Sequence, residues 1–115
     1  MLDAVSNEMV ALHRRQFGRG PATTKSFLID DMLVCVMHDV FIPAEKTLIA
    51  DGHLDRVREM RQLHQLASRA QLEAPVARIT GRAVLGIVSA VNVDPDLAIE
   101  IFMLAPAREV PATPS

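Results

Sequence analysis

The stretch QFGRGPATT, residues 16–24, is the part of the sequence that most resembles a ligand-binding loop. Gly18 and Gly20 would allow successive backbone N–H groups to converge on an anion, and Arg19 would add positive charge. However, Walker and dinucleotide phosphate loops run from a strand to the glycines to a helix, whereas this loop follows a predicted helix. Basic residues in the last turn of a helix also complement its dipole without any ligand. The loop therefore has two interpretations, a helix cap with a turn or an anion site.

The other residues that could do chemistry form weaker patterns. The four histidines show neither HxxxH nor HExxH spacing, so the sequence predicts no metal site and no cofactor. The serines lack a glycine elbow, and no Ser/His/Asp set is recognisable by spacing. An acid/base pair of His64 and Glu45 would need the fold to bring two helices together.

Composition limits the classes of protein that this chain can be. It has 115 residues, half of them hydrophobic, with no Trp or Tyr and a net charge of −2. This predicts one domain with an aliphatic core, and it gives no reason to expect nucleic acid as a partner. Cys35, the single cysteine, lies in an apolar run and is predicted to be a small core residue rather than a reactive thiol.

The sequence also bears on localisation. The first residues contain an early acid and no long apolar run, which is not typical of a signal peptide. The longest apolar stretches fall far short of the roughly 20 residues that a membrane-spanning helix needs. We therefore expect a cytoplasmic protein with no direct membrane span.

Periodicity predicts the elements that must position these residues. The first half reads as a helix over 3–16 with Asp3 as its N-cap, followed by a β-hairpin over 23–30 and 32–40. Pro43 predicts the start of a short helix that ends at Gly52.

A longer helix is predicted from near Leu54, broken at Pro75 and ending by Gly81. Its predicted apolar side comprises Leu54, Val57, Met60, Leu63, Leu66, Ala67 and Ala70. A second hairpin follows, formed by RAVLGIVSAV and LAIEIFML around an Asp-Pro turn. Residues 105–115 are predicted to be a disordered, proline-rich tail.

These elements predict an α+β fold for residues 1–104, of the order α-β-β-α-α-β-β. Two hairpins would form a four-stranded sheet with the helices on one face, a two-layer sandwich. The opposite face is apolar in at least two strands, and exposed apolar sheet faces are usually interfaces. We therefore expect a homo-oligomer, most simply a dimer.

An ordered series of motifs adds a family resemblance: GRGP, FIPAEKTLI, VREMRQLH, ITGRAVLG and DPDLAIEIFML. Over residues 4–104 the series resembles the MpsC-like domain family, small bacterial proteins long classed as a domain of unknown function. The family pattern has a Leu-Thr pair where this chain has Phe41-Ile42, so the threonine N-cap is lost here.

The resemblance implies an accessory or regulatory protein of a membrane cation- or bicarbonate-linked transport system, without a catalytic mechanism. Its motif positions in this chain are Gly18, Arg19, Gly20, Pro21, Pro43, Glu45, Arg61, His64, Gly81 and Arg82. The side chains among them without a backbone explanation are Arg19, Glu45, Arg61 and Arg82. Together with Gly18, Gly20 and His64 they are the candidates for binding a ligand or partner.

Three hypotheses follow. The first is a non-enzymatic, homo-oligomeric module that assists a partner, such as a membrane transport protein. The second is a sensor that binds phosphate, a nucleotide or bicarbonate at Arg19, with help from Arg61 or Arg82. The third is an enzyme that uses the pair of His64 and Glu45.

Overall fold

The computed structural model describes residues 1–107 of the chain. Within this range the fold is α+β, with four helices and a four-stranded antiparallel sheet in the predicted order, except that the long helix is divided in two. The elements are α1 (Leu2–Phe17), β1 (Thr23–Ile29), β2 (Met32–His38), α2 (Pro43–Ala50), α3 (Leu54–Ala67), α4 (Arg69–Thr80), β3 (Val84–Asn92) and β4 (Leu97–Leu104).

Helix α1 packs an apolar stripe against the sheet, with Val5, Met9 and Leu12 buried at helical spacing. Gly18 ends the helix as predicted, with φ +82° and its N–H bonded to the carbonyl of Arg14 at 2.9 Å. The prediction of Asp3 as the N-cap is wrong, because the helix begins at Leu2. Asp3 instead lies in the first turn, where its charge still favours the helix dipole.

The sheet has the strand order β1-β2-β4-β3, so the two hairpins join through antiparallel pairing of β2 with β4. Asp30 adopts a left-handed φ of 52° in the tight turn of the first hairpin. Alternation along the strands directs one set of side chains towards the helices, including the fully buried Leu33, Cys35 and Phe102. The other set forms an outer face that no helix covers within residues 1–107.

The long helix breaks at Ser68, not at Pro75 as predicted. The hydroxyl of Ser68 donates a hydrogen bond to the carbonyl of His64, and such local bonds compete with the helical ladder. Pro75 lies buried within α4, beside the buried Val76. Core packing of α4 therefore outweighs the loss of one backbone hydrogen bond at the proline.

The predicted apolar side of α3 is mostly wrong. Val57 is 2% exposed, but Met60, Leu63 and Leu66 are 61%, 63% and 62% exposed. Helix α3 is rotated so that Arg61, not this stripe, points into the domain, where it forms an ion pair and stacks on aromatic rings. Helix α3 therefore faces the domain with Val57 and Arg61.

The core is aliphatic, as composition predicts, with two buried phenylalanines, Phe41 and Phe102. Cys35 is buried among these residues, and burial raises the pKa of its thiol to about 11, which fits a small core residue. No helix within residues 1–107 has the length and apolar character needed to cross a membrane. Apart from residues 105–107, the predicted tail lies outside the described residues.

Candidate functional site

Arg61 is the centre of a buried polar network between α1, α2 and α3. Its guanidinium makes a two-point contact with the Glu45 carboxylate, at 2.5 Å from Nη2 to Oε1 and 2.7 Å from Nε to Oε2. The two side chains are only 10% and 9% exposed. Arg61 also donates to the carbonyl of Val40 at 2.8 Å and lies 3.9 Å from the ring centroid of Phe17. This geometry satisfies both charges in the interior.

Glu45 fixes the start of α2 as well as Arg61. Its Oε1 accepts the N–H of Ile42 at 3.0 Å, so the glutamate satisfies a backbone donor at a helix start that lacks the family's threonine. Burial, the largest single influence, would raise the pKa of Glu45. The hydrogen bonds from Arg61 and from the Ile42 N–H together outweigh it, so the pKa is lowered and the group is charged.

His13 links this network to the glycine loop. Its Nδ1 lies 2.6 Å from the carbonyl of Arg19, so Nδ1 carries the proton and donates, which leaves Nε2 to accept from Arg61 Nη1 at 3.4 Å. Burial of the ring lowers the pKa of His13, which keeps the imidazole neutral. No motif or spacing in the sequence indicated this bridging role.

The guanidinium of Arg19 bonds to other residues of the chain, although its side chain is 37% exposed. Its Nη2 lies 2.6 Å from Asp39 Oδ2 and its Nη1 donates to the carbonyl of Phe41 at 3.1 Å. The hydrogen bond from Arg19 lowers the pKa of Asp39. Gly20 packs against α1, since a Cβ there would lie 3.2 Å from Val10 Cγ1. A helix cap and a turn therefore account for the observed contacts of the loop, and an anion site at Arg19 stays a prediction.

The fold brings together some of the predicted site residues and separates others. Glu45 and Arg61 are in direct contact, and Arg19 reaches them through His13. His64 stands next to the network, with its ring centroid 5.0 Å from that of Phe17. Within residues 1–107 no hydrogen bond joins His64 to Glu45, as their acid/base pairing would require.

Arg82 lies at the other end of the sheet. It donates to the carbonyl of Ala105 at 2.7 Å and forms an ion pair with Asp31 in the turn of the first hairpin. Arg19, in contrast, precedes β1 at the opposite end of the strands, where the N–H of Ala22 donates to the carbonyl of His38. The structure therefore gives Arg82 a local role in tying two chain segments together.

A cavity of about 390 Å³ opens beside the Arg61 network, between α1, α3 and the inner face of the sheet. Volumes of this order suit small organic molecules. Its walls combine apolar side chains with polar groups from both helices, and Glu100 and Ser89 come from the sheet. The lining side chains include Met9, Leu12, His13, Gln16, Phe17, Met37, Arg58, Arg61, His64, Ser68, Leu72, Val91 and Ala98.

Glu100 is the acidic group that sequence reasoning missed. It faces the helices from β4, directly opposite Ser89 of β3, whose hydroxyl donates to Oε2. Burial raises its pKa to about 7. The available signal was its place in LAIEIFML, where it alternates inward with Ala98 and Phe102.

The outer face of the sheet is the second candidate surface. Register places apolar side chains in rows across all four strands, for example Phe27, Val34, Ile101 and Val88. Phe27 and Val88 are 46% and 50% exposed. Polar side chains occur mainly in the row at one end, which consists of Thr23, His38, Leu97 and Asn92.

Among residues 1–107, no cluster of three or more His, Cys, Asp or Glu side chains could hold a metal ion. Comparison with curated proteins and with solved structures gave no match. A family model described as "Na+-translocating membrane potential-generating system (MpsC)" matches residues 1–106, nearly the whole chain. The chain therefore belongs to the MpsC family.

Proposed function

We propose that the chain is a non-enzymatic, homo-oligomeric accessory or regulatory module of a Na+-translocating, membrane potential-generating system. The family description supports the link to such a system. The observation that carries the assembly is the uncovered apolar face of the sheet. The module would act from the cytoplasmic side of the membrane by docking on a membrane protein of the system.

The outer face is a contiguous apolar surface that spans all four strands. Four strands spaced by about 4.8 Å, paired over seven residue positions between β2 and β4 at about 3.4 Å per residue, give a surface of roughly 19 by 24 Å. This area, roughly 460 Å², lies within the range of about 300–600 Å² of the largest apolar patch on a typical monomer, and such patches are often functional. Burying such a surface is favoured by the hydrophobic effect.

A second copy of the same chain is the occupant that this face fits. The central rows carry no charged group except Lys25 at the edge strand, so they offer nothing for a charged partner to recognise. In a two-fold dimer each copy contributes the same patch. Two outer faces that are both apolar and nearly uncharged can pack against each other without unpaired charges. The rim residues Lys25 and His38 would remain near water.

Sedimentation velocity at micromolar protein concentration tests the assembly. We expect a dimer for the native chain and a protomer for Val34→Asp, which places a charge in the centre of the outer face. Leu63→Asp is the matched control, since Leu63 is 63% exposed on α3, away from this face. Circular dichroism verifies that both variants fold. A native chain that sediments as a lone protomer would refute the proposal.

The alternative is a sensor for an anion such as phosphate, a nucleotide or bicarbonate near Arg19. One observation favours it: the Arg14 guanidinium lies 3.5 Å from the position of a Cβ on Gly20, so two guanidiniums flank the loop. A ligand at a hundredfold excess over its Kd should stabilise the protein by about 2.7 kcal/mol. Thermal shift with these anions measures this, and Arg19→Ala should abolish any response. If no anion raises the melting temperature, the sensor hypothesis fails.

A further inference from the structure

We propose that the cavity between α1, α3 and the sheet binds a small apolar molecule that carries a protonated amine, with Glu100 as its counter-ion. The site is distinct from the outer face, and the inference does not depend on the proposed assembly. It rests on the charges, the unpaired polar atoms and the apolar walls of the cavity.

The first argument is the balance of charge. Of the other ionisable side chains around the cavity, Arg61 is ion-paired with Glu45, His13 is kept neutral by burial, and the ring of His64 lies against Phe17. Arg58 is exposed to solvent at the rim. Glu100 has no cationic partner within hydrogen-bonding distance among residues 1–107, and a buried carboxylate without one is unfavourable. A ligand cation would supply the missing charge.

The second argument is the set of polar atoms without partners. Ser89 donates to Oε2 of Glu100, and Oε1 makes no hydrogen bond within residues 1–107, so it can accept one from a ligand. Nε2 of Gln16, also in the cavity wall, is buried and unpaired in the same part of the chain. Buried polar groups are generally hydrogen-bonded, so Nε2 of Gln16 indicates a missing partner. An amine would donate to Glu100, and a hydroxyl or ether oxygen of the ligand would accept from Gln16.

The third argument is the apolar lining. Met9, Leu12, Met37 and Leu72 border the same cavity. Their surface suits an aliphatic or aromatic body, which gains affinity by leaving water. An inorganic cation would gain nothing from these walls, and it would lack the several oxygen ligands that it needs.

Three eight-carbon probes test the charge requirement: octylamine, octan-1-ol and octanoate. We expect calorimetry at pH 8 to show octylamine binding at least tenfold more tightly than the other two. Octylamine should also bind about tenfold more weakly at pH 6, where protons compete for Glu100. Both the outer face and the cavity could hold an alkyl chain, so the preference between head groups is the informative result.

Two variants locate the binding. Glu100→Gln keeps the shape of the side chain and should reduce octylamine affinity at least tenfold, to the level of octan-1-ol. Ala98→Leu, which fills part of the cavity without changing charge, should weaken all three probes and provides a second test should Glu100→Gln fail to fold. Absence of octylamine binding, equal binding of the three probes, or unchanged octylamine binding in either folded variant would overturn the proposal.

Discussion

The raised pKa of Glu100 predicts an unusual dependence of stability on pH. The pKa rises from the ordinary 4.5 to about 7 in the folded chain, because burial disfavours the charged form. Between these values the folded state holds a proton that the unfolded state has released, so stability falls as pH rises. A difference of this size corresponds to about 3 kcal/mol. Stability from this group is complete below pH 4.5 and is lost by the time the pH exceeds 7.

Glu100→Gln removes the titrating group and should remove this loss. We expect the variant to match the native chain near pH 4.5 and to exceed its free energy of unfolding by about 3 kcal/mol at pH 8. Urea unfolding across this range, followed by circular dichroism, measures the difference. The lowered pKa of His13 acts in the opposite direction, since it makes stability rise with pH, but it is common to both proteins.

The control is Glu59→Gln, because Glu59 is exposed on α3. Its unfolding curves should follow those of the native chain at every pH. If native stability were flat or rising between pH 5 and 8 relative to Glu100→Gln, the carboxyl of Glu100 would not be held protonated by burial, and the reasoning would be refuted.

Other substitutions test the remaining features of the structure. Glu45→Ala should destabilise the fold by about 3–5 kcal/mol in urea unfolding, because it leaves Arg61 buried without a counter-ion, and a loss below 1 kcal/mol would contradict this. Gly18→Ala should cost about 1 kcal/mol in the same assay, since φ is +82° there. Leu63→Ser should change stability by less than about 0.5 kcal/mol, because the side chain is exposed. The thiol of Cys35 should react with a disulfide reagent at pH 8 only as the chain unfolds, because burial raises its pKa to about 11; rapid labelling of the native chain would disprove it.

The sequence predicted those features that depend on local chemistry. Gly18 ends α1, the Asp30-Asp31 pair forms a tight turn, and Pro43 starts α2, since each follows from backbone preferences of a few residues. The alternating positions of β2 and β4 are mostly apolar in both sets, which predicted that both faces of the sheet are apolar. Strand order could not be read, because it depends on which hairpin edges meet.

Features that depend on tertiary contacts were missed or misread. Periodicity predicted that Met60 and Leu63 are buried, but both are exposed in the structure. The pattern of apolar residues contains no information about the ion pair and the aromatic stacking of Arg61. The break at Ser68 instead of Pro75 likewise reflects burial of α4. Glu45 and Arg61 were predicted as site residues from a family resemblance, but their direct contact is visible only in the fold.

The attachment of α3 has a consequence for how the molecule fluctuates. Val57 is the only residue of this helix that is fully buried, and Arg61 connects the helix to Glu45 and to the carbonyl of Val40. Separation of α3 from the body would break that hold yet leave the contacts of α1 and α4 with the sheet in place. Amide hydrogens of α3 should therefore exchange with solvent through a partial opening that is easier than global unfolding. The same opening would provide a route by which molecules enter the interior.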